Sequence, residues 1–120
     1  NGLTALLVED QENIFTFFKE ALNKTGMEII WVENGEDAVD KYKEMSQNIN
    51  IVLMDINLPG MNGIEATKHI LKYDPAAIII AQTAYAMHEE LDNCIKAGCI
   101  DYITKPIKPS ELIEKIKKYS

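Results

Sequence analysis

Three features of the 120-residue sequence predict an α/β fold built on a parallel sheet. Short apolar runs alternate with segments whose apolar residues recur at helical spacing, and the alternation is repeated to the end of the chain. The central run, Ile51-Val52-Leu53-Met54, lacks polar alternation, which marks a strand covered on both faces. That run delivers Asp55 into a turn carrying Pro59, Gly60 and Gly63, the place where ligands collect in such sheets.

Thr4-Ala5-Leu6-Leu7-Val8 predicts a first strand ending in Glu9-Asp10. Ile14, Phe15, Phe18, Ala21 and Leu22 then define a helix face that runs to a glycine stop at Gly26. Glu28 to Val32 reads as the second strand, Asn34-Gly35 as a turn, and Ala38, Val39, Tyr42 and Met45 as one face of a second helix. The third strand spans Asn50 to Met54. Ile64, Thr67, Ile70 and Leu71 give a third helix closed by Asp74-Pro75. Ala77-Ile78-Ile79-Ile80-Ala81 predicts the fourth strand, with Thr83 just beyond it. Met87, Leu91, Cys94 and Ile95 form a fourth helical face ended by Gly98, and Ile100 to Ile103 make a fifth strand leading into Lys105-Pro106. Ser110 is placed as the N-cap of a final helix carrying Leu112, Ile113, Ile116 and Tyr119. Right-handed crossovers and short connections put helices on both faces of the sheet.

The length fits one domain over residues 1–120, and 47% hydrophobic content is ordinary for a globular chain. A net charge of −7 argues against direct contact with a nucleic-acid backbone or an anionic membrane. The Lys excess from Lys96 onward is expected to be a solvated face. No apolar run approaches the roughly 20 residues of a membrane span, so the expected location is cytoplasmic. Because the chain starts with Asn, it is expected to be a segment of a longer protein. Cys94 and Cys99 form no CxxC pair and are expected to be buried free thiols; the isolated His69 and His88 are expected at the surface.

In a parallel sheet every strand C-terminus faces one edge, so Glu9, Asp10, Asp55, Asn57, Thr83 and Lys105 are expected to share a cleft. Clustered carboxylates repel unless a cation sits among them. Hard oxygen ligands with open positions suit Mg²⁺, which commonly binds one or two carboxylates plus a phosphate. Asp55 is then placed to attack phosphorus, with Mg²⁺ and Lys105 neutralising the phosphoryl oxygens and the Thr83 hydroxyl donating a hydrogen bond.

These residues resemble those of a response-regulator receiver domain of two-component signalling. The likeness runs from Leu6-Leu7-Val8-Glu9-Asp10 through Met54-Asp55 and the turn to Gly63, and on to Tyr102-Ile103-Thr104-Lys105-Pro106. It implies a flavodoxin-like (βα)5 three-layer sandwich with strand order 2-1-3-4-5, the order of the family's chemotaxis members. It further implies Asp55 as phosphoacceptor, with Glu9, Asp10, Asp55 and the Asn57 carbonyl at Mg²⁺, for which Mn²⁺ can substitute. Lys105 and Thr83 would hold the phosphoryl group, Tyr102 would be the aromatic switch, and Lys105-Pro106 would be a cis peptide bond. The implied donor is a histidine kinase or histidine phosphotransfer domain, and the implied output surface runs from about Met87 to Tyr119. Homodimerisation and the downstream effector are left open. The segment from Thr83 to Ile107 is similar to receiver modules of hybrid sensor histidine kinases, in which case the module would be the cytoplasmic portion of a membrane sensor. Asn57 and Tyr85 fall at positions that tune phosphate lifetime in such relatives.

Three rival readings are weaker. A haloacid dehalogenase-type phosphatase needs D-x-D, but the pattern here is Asp55-Ile56-Asn57, and an amide cannot serve as the general acid. A flavodoxin-like nucleotide binder would bring phosphate against Glu9-Asp10-Gln11-Glu12, and GxxxxGK is absent. A degenerate receiver used only for docking would not need the full set of charged residues.

Overall fold

The computed structural model describes residues 2–58, 60–84 and 87–119. Five strands, β1 (Thr4–Val8), β2 (Glu28–Val32), β3 (Ile51–Asp55), β4 (Ile79–Thr83) and β5 (Asp101–Thr104), alternate with helices α1 (Glu12–Asn23), α2 (Gly35–Met45), α3 (Gly63–Tyr73), α4 (His88–Ala97) and α5 (Pro109–Tyr119). The strands form one sheet in the order β2-β1-β3-β4-β5, and every pairing is parallel. Among the described residues no helix is long and apolar enough to cross a membrane.

Side-chain alternation along the strands feeds two cores. Leu6, Val8, Val52, Met54, Ile79 and Ala81 pack on the side of α2, α3 and α4. Ala5, Leu7, Ile51, Leu53, Ile80 and Ile103 pack against Phe18 and Leu22 of α1 and Leu112 and Ile116 of α5. Every residue of β3 is buried, as its unbroken apolar run requires.

Several boundaries differ from the sequence reading. β3 begins at Ile51 and includes Asp55, because Asp55 still pairs in register with Gln82. β4 runs from Ile79 to Thr83, not from Ala77 to Ala81: the polar Gln82 and Thr83 keep their ladder partners Ile103 and Thr104. β5 likewise starts at Asp101, leaving Ile100 outside it and exposed. Asn34-Gly35 is a helix start and not a free turn, since the Asn34 side chain accepts from the Asp37 N–H at 2.8 Å. Ser110 is not the N-cap of α5. The helix begins at Pro109, whose fixed φ and missing N–H suit a first helical position, and the first turn closes with the Leu112 N–H donating to the Lys108 carbonyl at 3.1 Å. On α4, Cys94 is buried but Ile95 is exposed, and Met87 lies exposed just before the helix, so the apolar face is narrower than expected. Cys94 and Cys99 are buried free thiols, pushed up to about 11 and about 12 chiefly by burial. His69 and His88 are exposed.

Gly63 fixes the distance between α3 and the end of β3. A Cβ there would run into the Asp55 carbonyl oxygen and lie 2.5 Å from the Ile56 Cα, both parts of the backbone. The neighbouring Asn62 side chain caps the helix by accepting from the Glu65 N–H at 2.9 Å. Gly63→Ala is therefore expected to cost on the order of 1–3 kcal/mol in urea denaturation, because α3 must back away from Asp55. Unchanged stability would show that the loop yields freely.

Candidate functional site

The edge formed by the strand C-termini gathers residues distant in sequence. Glu9 and Asp10 follow β1, Asp55 ends β3, Thr83 ends β4, and Lys105 follows β5. Glu9, Asp10 and Asp55 place carboxylate oxygens within 4.8 Å of one another. Glu9 and Asp55 are buried, whereas Asp10 is exposed and forms the open side.

Lys105 joins the two buried acids. Its Nζ lies 3.3 Å from Glu9 Oε1 and 3.2 Å from Asp55 Oδ2. The other Asp55 oxygen, Oδ1, accepts from the Asn57 N–H at 2.9 Å, so both ends of the carboxylate are oriented. Backbone bonds hold the frame: the Lys105 N–H donates to the Thr83 carbonyl at 2.8 Å, and the Ile56 N–H to the Gln82 carbonyl at 3.1 Å. Behind Glu9, the Trp31 indole N–H donates to the Glu9 carbonyl at 2.7 Å, and the Trp31 ring stacks on Phe15 with centroids 4.3 Å apart. The Lys105–Pro106 peptide bond is cis.

Electrostatics follow from this crowding. Burial, with the charge of Asp55 added, pushes the Glu9 carboxyl up to about 7 despite Lys105. Burial by itself would favour the neutral amine of Lys105, but Asp55 and Glu9 outweigh it and hold the ammonium above its ordinary range. The cluster offers hard oxygen ligands only, and its excess negative charge is of the kind that a divalent cation relieves. The chemistry of these donors fits Mg²⁺.

Two further candidate residues, Thr83 and Tyr102, lie on the neighbouring strands β4 and β5. The Thr83 hydroxyl is buried and donates to a carboxylate oxygen of Glu90, on α4. Tyr102 lies on β5 with the Lys115 ammonium 5.5 Å from its ring centroid. Lys115 is itself fixed by Asp101 Oδ1 at 2.9 Å, and the Tyr119 hydroxyl donates to Asp101 Oδ2 at 2.9 Å. Burial alone would raise the Asp101 carboxyl, but the hydrogen bonds from Lys115, the Tyr102 N–H and Tyr119 leave it below its ordinary value.

Glu9, Asp10, Asp55 and Lys105 are thus brought together where the sequence placed them. The Asn57 backbone joins them through its N–H, while its residue as a whole is exposed. Thr83 stands at the same edge, engaged with α4. Tyr85 lies outside the described residues, as do Pro59 and Ala86. Glu90 is not marked by any motif; only its place seven residues after Thr83, in the first turn of the helix that follows β4, could draw attention to it.

Lys105→Ala, with chelator present, should lower stability by about 3 kcal/mol in denaturant melts, since it leaves two buried carboxylates without their cation. A loss within error of zero would mean that the pair contributes nothing net. Asp101→Asn should cost on the order of 1 kcal/mol at pH 7. Because the folded-state pKa of Asp101 is depressed, its stabilisation is present above the ordinary carboxylate range and is lost as pH falls through the folded value. The difference between Asp101→Asn and wild type should accordingly shrink in acid; a pH-independent difference would contradict the charge-based role.

Residues 5–117 match the sequence model of the response regulator receiver domain. The chain is 41% identical to the chemotaxis protein CheY of Thermotoga maritima over 120 residues, covering 99% of this chain and 98% of that one. Among solved structures it is similar to the receiver domain of a Pseudomonas aeruginosa sensor histidine kinase, which holds a magnesium ion in its active-site cleft. The TM-score is 0.90 at 33% identity, covering 99% of this chain and 98% of the other. It also matches a chain, with a TM-score of 0.90 and 29% identity, in a complex from Saccharomyces cerevisiae. That complex joins the histidine phosphotransfer protein Ypd1 and the receiver domain of the response regulator Ssk1; the match covers 98% of this chain and 88% of that chain. The shared fold, the matching strand order and the extent of these likenesses lead to one assignment: the chain belongs to the response regulator receiver domain family.

Proposed function

We propose that Asp55 is the phosphoacceptor of this receiver domain and takes its phosphoryl group from a phosphohistidine. The observation that carries the reading is the Asp55 carboxylate, buried at 3% exposure yet fixed at both oxygens, beside Lys105 and two further acids. In the transfer, an Asp55 oxygen forms a bond to phosphorus while the donor's phosphorus–nitrogen bond breaks, and the electron pair leaves with the imidazole. Little covalent help is needed from the protein, because such transfer depends mainly on positioning and charge neutralisation.

Each residue has a role in that transfer. The Asn57 N–H sets the rotation of the carboxylate. Lys105, now on Asp55 and Glu9, can move its ammonium to a phosphoryl oxygen as charge arrives there. Glu9, Asp10, Asp55 and the Asn57 carbonyl would hold Mg²⁺, which supplies charge neutralisation at the phosphoryl oxygens. Thr83 would supply a hydroxyl donor, and Tyr102 would follow it in the switch. The magnesium in the Pseudomonas relative supports the metal reading, and the phosphotransfer complex from yeast supports the class of donor.

The output surface on this reading is α4, β5 and α5, where Ile95 on α4 and the flanking Met87 and Ile100 are exposed. The relative from a sensor histidine kinase favours a hybrid kinase as the parent protein. A docking-only receiver is the alternative that the following test separates.

Incubation with acetyl phosphate and Mg²⁺, followed by intact mass measurement, should give one phosphate adduct on wild type and none on Asp55→Asn or with chelator. No adduct, together with no consumption of acetyl phosphate, would remove the phosphoacceptor reading for small donors and leave docking.

A further inference from the structure

Thr83 ends β4 one position beyond the residue that pairs with Asp55, and its hydroxyl donates to a carboxylate oxygen of Glu90. From this contact we propose that Glu90 is a positioning residue that holds the Thr83 hydroxyl toward α4 in the resting domain and must release it before a phosphoryl group can be bound fully. This inference rests on the phosphoacceptor reading of Asp55.

The physical case has three parts. First, the hydroxyl is fully buried, and a bond to a charged acceptor in such surroundings is stronger than one between neutral groups. An incoming phosphoryl oxygen must therefore compete with an acceptor already in place. Second, the contact crosses elements: Thr83 is fixed in the sheet through its backbone, with its carbonyl accepting from the Lys105 N–H, whereas Glu90 belongs to the first turn of α4. Breaking the bond therefore removes one tie between the start of α4 and the sheet edge without disturbing the ladder. Third, Glu90 borders an open cleft of about 340 Å³, between the turn after β3 and the start of α4, lined also by Ile56, Asn57, Asn62 and Met87. The carboxylate has somewhere to go when released.

A single hydroxyl cannot donate to Glu90 and to a phosphoryl oxygen at once. The two arrangements are alternatives, and a ligand that favours one shifts the population from the other. Glu90 thus biases the domain toward its resting arrangement, and removing its carboxylate should raise affinity for a phosphoryl mimic at Asp55. A purely structural role predicts the opposite, because loss of a stabilising contact would loosen the site.

The test is the apparent affinity for beryllofluoride in the presence of Mg²⁺, measured calorimetrically on wild type, Glu90→Ala and Glu90→Gln, each shown to unfold cooperatively in urea. Glu90→Ala should bind roughly ten- to a hundredfold tighter, the range expected for loss of one competing hydrogen bond to a charged group. Glu90→Gln keeps an oxygen acceptor and should fall between Ala and wild type. In a Thr83→Ala background the Glu90→Ala gain should disappear. Unchanged or weaker binding by a folded Glu90→Ala, or a gain that persists without the Thr83 hydroxyl, would overturn the proposal. Should Glu90→Ala not fold, Glu90→Gln in the presence and absence of the Thr83 hydroxyl decides on the same criterion. Failure of wild type to bind beryllofluoride would instead count against the phosphoacceptor reading itself.

Discussion

Lys105 stands between two buried carboxylates, Glu9 and Asp55, that would repel each other in its absence. The rest of the architecture serves this arrangement. Glu9 is brought in by β1 and Asp55 by the adjacent β3, while Lys105 reaches back from beyond β5, two strands away from β3 across the sheet. Only a parallel sheet lets all three strand ends open on the same edge. The apolar cores on either face then hold that edge at fixed spacing, which the charges alone could not do.

The cluster is under-neutralised, and that imbalance connects its stability to its chemistry. One lysine faces three acids, and Glu9 is pushed up to about 7 by burial and by Asp55. With its folded-state pKa raised, Glu9 favours the folded state less as pH rises from its ordinary range through that value. A divalent cation would relieve the repulsion, and a phosphoryl group would bring new negative charge for the cation and Lys105 to hold. The site is arranged for charge that arrives during transfer, not for a low-energy resting state.

Much of this was legible in the sequence because the chemistry lies at the ends of strands. The apolar runs before Glu9 and Asp55, and after Thr83 the run into Lys105, announce both the strands and the edge they share. Boundaries are less legible: Gln82 and Thr83 are polar, yet they remain in β4 because backbone pairing continues, for Gln82 with Asp55 and Ile103 and for Thr83 with Thr104. Caps are only partly legible, since Asn34-Gly35 has the look of a turn and Ser110 the look of an N-cap, while Pro109 starts α5. Glu90 was not visible. It is one of two adjacent glutamates in an acidic first turn, and only the hydrogen bond from the Thr83 hydroxyl distinguishes it from Glu89. Nor does the sequence tell that the Trp31 indole is tied to the Glu9 carbonyl, a contact across strands.

The central claim is that Glu9, Asp10 and Asp55 form one site whose charge calls for a divalent cation. Its most direct measurement is the melting temperature of the domain as Mg²⁺ is raised at constant ionic strength, for wild type beside Asp55→Asn. Binding to the folded state alone stabilises it by RT ln(1 + [L]/Kd), so the wild-type melting temperature should climb steadily with Mg²⁺ once the dissociation constant is passed. Asp55→Asn should show a much smaller climb. A wild-type melting temperature that does not respond, or an equal response from Asp55→Asn, would contradict a cation site built on these carboxylates.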